Sequence, residues 1–147
     1  MSISPSEKVL VSIEDGIASV TINNSAANTW DLESLPALET VVNELNGMAN
    51  VRALVITGQG EKFFSAGADL NQFASGDPVA AGAMGDAFGA AFETLADYRG
   101  VSIAAINGYA MGGGLEVALA CDIRLAESHA ELALPQARVG HLPFAGG

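Results

Sequence analysis

Three consecutive glycines, Gly112, Gly113 and Gly114, lie between a strand-like run and a helical one, with Glu116 close behind them. The run VSIAAI (residues 101–106) is apolar enough for an interior strand, and Asn107-Gly108 breaks it. From Leu115 the period turns helical, with Leu115, Ala118 and Leu119 on one face. Strand, glycine-rich turn and helix N-terminus leave backbone N–H groups unpaired, aimed by the helix dipole and clear of side chains. Such donors hold an anion already present, such as phosphate, or one that develops during a reaction. The spacing fits neither nucleotide-binding glycine pattern: no Gly-Lys-Ser/Thr follows, and the glycines are contiguous. A second small-residue stretch, Ser65-Ala66-Gly67-Ala68-Asp69, precedes Leu70 and Phe73; Asp69 suits a helix N-cap there.

The elements that must hold these stretches can be read in order. Residues 9–14 and 17–22 form a hairpin pattern around Asp15-Gly16. Residues 23–28 are small and polar, a loop. Residues 30–48 carry Leu35, Leu38, Val41, Val42, Leu45 and Met48 at helical spacing, with Pro36 placing the regular start near Ser34. RALVIT (residues 52–57) is a strand covered on both faces. Residues 79–98 form a helix with Met84, Phe88, Phe92 and Leu95 on one side, weakened in its first half by Gly82, Gly85 and Gly89. Residues 123–126 and 131–134 are short strands, followed by Pro135. The alternation predicts an α/β layered domain.

At 147 residues the chain is one domain (1–147), long enough to bury about two-thirds of its unfolded surface. Its net charge of −11 and the absence of a basic patch argue against nucleic acid or an anionic membrane as partners. No run is long and apolar enough to span a bilayer, and no signal pattern opens the chain, so the expected location is cytoplasmic. Cys121, the single cysteine, lies in an apolar helical stretch and reads as a buried, reduced thiol.

Three blocks, ALVITGQGEKFFSAGADL (53–70), AAINGYAMGGGLEVALACDIRLA (104–126) and LALPQARVGHLPFAGG (132–147), together resemble the crotonase superfamily, the enoyl-CoA hydratases and isomerases. The resemblance covers nearly the whole chain but only the front half or so of a complete family member. It implies a spiral of ββα units, truncated before the C-terminal helices; the ending GHLPFAGG reads as a loop opening a further element. It also implies an acyl-CoA substrate bound in a bent pose, with CoA part of the substrate and no metal or redox cofactor. Carried over by position, the N–H groups of Ala68 and Gly113 form an oxyanion hole for the thioester oxygen, and Glu116 is an acid/base. The family's second glutamate falls at Gln136, which can orient water or substrate but cannot exchange a proton at neutral pH.

The resemblance further assigns Ala26, Ala66, Ala68, Asp69, Leu70, Asn71 and Gly113 to substrate binding. Asn71 stands where the family often has a cation, and Arg99-Gly100 where a Lys-Pro pair is common. His141, near Gln136, reads as a solvated loop histidine. The complete protein is expected to form a homo-oligomer, a trimer or hexamer. The expected function is enoyl-CoA hydration, double-bond isomerisation or related thioester chemistry. The alternative is a chain that binds acyl-CoA or assembles without catalysis, lacking the second glutamate.

Overall fold

The computed structural model describes residues 3–143 and 145–147. Strands β1 (Val9–Glu14) and β2 (Ile17–Ile22) form the expected antiparallel hairpin. Its turn residues Asp15 and Gly16 have φ of 50° and 80°, the left-handed pair that matches strand twist. After the loop come β3 (Thr29–Trp30) and helix α1 (Ser34–Gly47). Trp30 therefore closes a short strand instead of opening the helix. Asp31 explains the delay: its Oδ1 accepts the N–H groups of Glu33 (3.0 Å) and Ser34 (2.8 Å), satisfying early donors that the helix cannot.

Next follow β4 (Ala53–Gly58), β5 (Phe63–Ser65), β6 (Gly67–Ala68), a 3-10 turn (Leu70–Phe73) and α2 (Pro78–Ala96). Then come β7 (Val101–Ile106), β8 (Tyr109–Met111), α3 (Gly113–Leu119), β9 (Ile123–Ala126), β10 (Leu132–Ala133) and a second 3-10 turn (Pro135–Val139). Strands β6 and β8 are too short to show a period of two. The strand expected over residues 131–134 shrinks to its two middle residues. Leu119, expected on the apolar face of α3, is 42% exposed; Ala118 is buried as expected, and the helix buries Glu116 and Val117 with it.

The larger sheet has the order β1-β2-β4-β7-β9, parallel from β2 onward. A second sheet has the order β10-β8-β5, also parallel. Each ββ unit gives one strand to each sheet: β4 with β5, β7 with β8, β9 with β10. The units stack in the same order in both, and α2 and α3 follow the first two. This is the spiral of ββα units, a mixed α/β architecture.

The core follows from the alternating pattern of the parallel strands. Ala18, Val20, Ile22, Leu54, Ile56, Ala104 and Ile106 are buried in one cluster with Leu35, Leu38, Val41 and Leu45 of α1 and Phe88, Phe92 and Leu95 of α2. Trp30 meets Phe92 edge-on at 5.9 Å between ring centroids, and Phe92 meets Phe88 at 5.4 Å. Polar pins hold the corners between units. Asn107 Nδ2 donates to the carbonyls of Gly58 (2.9 Å) and Gly60 (2.7 Å), and its Oδ1 accepts from the Gly58 N–H (3.1 Å). Asn28, only 3% exposed, donates to the carbonyls of Gln59 (3.0 Å) and Phe63 (2.9 Å). A buried amide that satisfies backbone carbonyls is held firmly, because losing it strands the acceptors.

Candidate active site

The turn after β5 and the turn before α3 touch. A Cβ added at Gly67, whose φ is +89°, would lie 2.6 Å from the Met111 oxygen and 3.0 Å from the Gly113 nitrogen. A Cβ at Gly114 would lie 2.0 Å from the Ser65 oxygen. Only glycine lets two backbones approach so closely. The sequence SAGAD and the triple glycine are thus two halves of one contact.

The hydrogen-bond register leaves the expected donors outside the β3–β6 ladder and the bonds of α3. Ala68 pairs with Trp30 in the parallel β3–β6 ladder, and the Asp69 N–H donates to the Trp30 carbonyl (2.8 Å). The Thr29 carbonyl takes Asn24 Nδ2 (2.8 Å). Ladder bonds alternate along a parallel strand, so the Ala68 N–H faces away from β3. Gly113 opens α3 and has no partner for its N–H within the helix.

Both residues line a cavity of about 450 Å³, together with Ala66, Leu70, Glu116 and Gln136. Its further walls are Thr29, Phe73, Phe88, Gly112, Pro135, Arg138, Val139 and His141, on nearly every element around the centre. Glu116 is 1% exposed. Its Oε1 accepts the N–H groups of Ala145 (2.9 Å) and Gly147 (3.1 Å), and Gln136 Nε2 faces its Oε2 at 3.5 Å. The other amide atom, Gln136 Oε1, is buried without a hydrogen-bond partner among the described residues. Gln136 lies over Gly112, its Nε2 3.3 Å from where a Cβ there would stand. A carboxylate, an acceptor in need of a donor, and the small residues Ala68 and Gly113 share one mostly apolar chamber. That set suits proton exchange beside a carbonyl whose oxygen gains charge.

Several expected residues lie elsewhere. Ala26 is exposed, and Ala26, Asp69 and Asn71 are not in the cavity wall. Asp69 does cap the first 3-10 turn, its Oδ1 accepting from the Asn71 N–H (3.0 Å) and Nδ2 (2.9 Å). Arg99 is bound to the carbonyls of Asn46 (2.7 Å), Met48 and Val51 (3.0 Å) at and just beyond the end of α1, a structural clamp on that corner. His141 is exposed but belongs to the wall; its backbone N–H donates to the Gln136 carbonyl (2.9 Å) and its ring lies 6.0 Å from that of Phe73. Phe144, in the third block, is outside the described residues.

Thr29, Phe73, Phe88, Pro135, Arg138 and Val139 were not foreseen as site residues. Phe88 belongs to the apolar stripe of α2, and nothing in that stripe separates core from cavity wall. Burial pushes the Cys121 thiol up to about 12, as an apolar setting requires, against smaller opposing effects from Ser102 and Arg124. Among the described residues no group of three or more His, Cys, Asp and Glu side chains is arranged to hold a metal ion, and no helix is long and apolar enough to cross a membrane.

Comparison with known proteins agrees with this fold. The family described as enoyl-CoA hydratase/isomerase matches residues 12–147. The chain is 36% identical over 140 residues to the short-chain-enoyl-CoA hydratase of Clostridium acetobutylicum, covering 95% of this chain and 54% of that protein. It is 38% identical over 142 residues to the carnitinyl-CoA dehydratase of Salmonella arizonae, covering 97% of this chain and 54% of that one. Among solved structures, Pseudomonas aeruginosa DspI superposes with a TM-score of 0.94 at 60% identity, covering 96% of this chain and 58% of that chain. An enoyl-CoA hydratase from Bacillus anthracis gives 0.92 at 33% identity, covering 95% and 55%. The chain therefore spans about half the length of the curated relatives it matches. By that match and by its fold, it belongs to the enoyl-CoA hydratase/isomerase family of the crotonase superfamily.

Proposed function

We propose that this chain carries the reaction centre of an acyl-CoA enzyme of the hydratase/isomerase type, with coenzyme A as part of the substrate. The observation that carries the reading is the joint lining of one cavity by Ala68, Gly113 and the buried Glu116. The thioester oxygen accepts the N–H groups of Ala68 and Gly113. Charge develops there when a proton leaves the neighbouring carbon or water adds to the conjugated bond, and each preorganised donor is worth about 10²–10³-fold in rate. Glu116 takes a proton from one carbon and returns it to another, so a double-bond shift needs no second carboxyl group. Gln136 Oε1, with no partner of its own, accepts from a water or a substrate hydroxyl and orients it. Hydration then proceeds more slowly than where two carboxyl groups divide the work.

The test is turnover of crotonyl-CoA and of a 3-enoyl-CoA by the full-length protein and its Glu116→Gln variant. Loss of both activities with retained acyl-CoA binding supports the assignment; undiminished turnover refutes it. Gln136, beside Glu116 and without an exchangeable proton, favours one other reading, an acyl-CoA-binding chain without catalysis. Calorimetric binding of acyl-CoA with no turnover by the unaltered protein would establish that reading. Assembly as a trimer or hexamer belongs to the same proposal, and sedimentation of the full-length protein reads it. Exposed Ile123 and Leu125 on edge strand β9 support it.

A further inference from the structure

The two oxygens of Glu116 have different surroundings. Oε1 accepts from the backbone N–H groups of Ala145 (2.9 Å) and Gly147 (3.1 Å), while among the described residues Oε2 is hydrogen-bonded only by Gln136 Nε2, at a long 3.5 Å. Backbone donors have no rotamers, so a carboxylate held by two of them is fixed in position and plane. A Cβ at Gly147 would lie 2.9 Å from Oε1, 2.7 Å from Pro143 Cβ and 3.1 Å from Leu134 Cδ1. Gly147 thus packs directly against Oε1, with Pro143 and Leu134 beside it.

We infer that the segment carrying Ala145 and Gly147 is a positioning clasp: it holds Glu116 by Oε1 and leaves Oε2 as the oxygen that exchanges protons with the substrate. The inference rests on the proposed role of Glu116 and adds which oxygen works and what aims it. Both donors are main-chain groups, so their side-chain identity matters only through space: residue 145 tolerates small side chains, and residue 147 requires none. Gln136 completes the arrangement by facing the working oxygen across the cavity wall.

The test uses full-length Ala145→Pro, which removes one donor, and Ala145→Gly, which keeps it. Losing a hydrogen bond to a charged acceptor lowers kcat roughly ten-fold or more. The KM for the acyl-CoA changes little, because the clasp does not touch substrate. Ala145→Gly retains kcat. Gly147→Ala keeps its N–H but forces Cβ against Oε1, and it lowers kcat likewise. This second variant decides the matter if Ala145→Pro does not fold. Independently of activity, the amide protons of Ala145 and Gly147 exchange slowly in the unaltered protein and faster in Glu116→Ala. A folded Ala145→Pro with full kcat, or Gly147→Ala with full kcat, overturns the clasp. If Glu116→Gln itself stays active, the role of Glu116 fails instead, and the two failures are told apart.

Discussion

Replacing Gly67 by alanine probes the contact between the two small-residue turns most directly. Two costs add. At φ of +89° a side chain is strained, worth about 1–2 kcal/mol. The new Cβ would also stand 2.6 Å from the Met111 oxygen and 3.0 Å from the Gly113 nitrogen, both backbone atoms that cannot rotate away. Overpacking of this kind adds about 1–3 kcal/mol. Gly60 supplies the control: its φ is +85°, yet nothing lies within 4 Å of its Cβ position. Gly60→Ala therefore carries the strain alone, and the difference between the variants measures the clash. We expect urea unfolding to place Gly67→Ala at least about 1 kcal/mol below Gly60→Ala. Turnover of acyl-CoA should fall about 10²-fold or more in Gly67→Ala, since separating the turns misplaces one donor, and should hold in Gly60→Ala. Equal stability and equal turnover in the two variants would refute the packed contact and the oxyanion geometry built on it.

Burial alone would push the Asp31 carboxyl up, but Lys8 Nζ at 2.7 Å and the donors of Ser34 and Glu33 outweigh it and hold it at about 2, below the ordinary 3.8. A lowered value means stability that is present above pH 3.8 and lost as pH falls toward 2, at most about 2 kcal/mol before solvent screening. Acid titration of unfolding should show this loss, and Lys8→Met should shrink it; an unchanged acid limb in Lys8→Met contradicts the pairing. Cys121, buried and pushed up to about 12, should resist a thiol reagent at pH 8 until urea unfolds the chain; rapid labelling of the folded protein counts against its burial. Gln136→Glu sets a second carboxyl near Glu116 and should raise hydration relative to isomerisation several-fold while lowering stability through like-charge proximity. An unchanged product ratio would show that Gln136 does not face the reacting atoms.

How much of this was legible depended on whether a feature was local. The hairpin at Asp15-Gly16, the periods of α1 and α2 and the strand RALVIT stand out because one covered face imposes a repeat that composition cannot hide. Glu116 and the triple glycine could be singled out because strand, turn and helix follow each other directly. Trp30 was misplaced because its strand partner is Ala68, far along the chain, and Asp31 delays the helix by a side-chain bond that no periodicity records. The cavity walls were the least legible: Phe88 reads like any other core residue of α2, and Val139 like any surface one. Asp69 and Asn71 are neighbours in sequence of Ala68 and Leu70, which do line the cavity, yet neighbours on a strand or tight turn point in different directions.

The two sheets are wound in step, so Ala68, Gly113 and Gln136 come from three successive coils of one superhelix. No single coil owns the chamber. A slip of one coil against the next by even an ångström would change the spacing of these three residues before it exposed any apolar surface. Chemistry in such a molecule is a finer gauge of winding than stability is, and substitutions deep between coils should register first as slowed turnover.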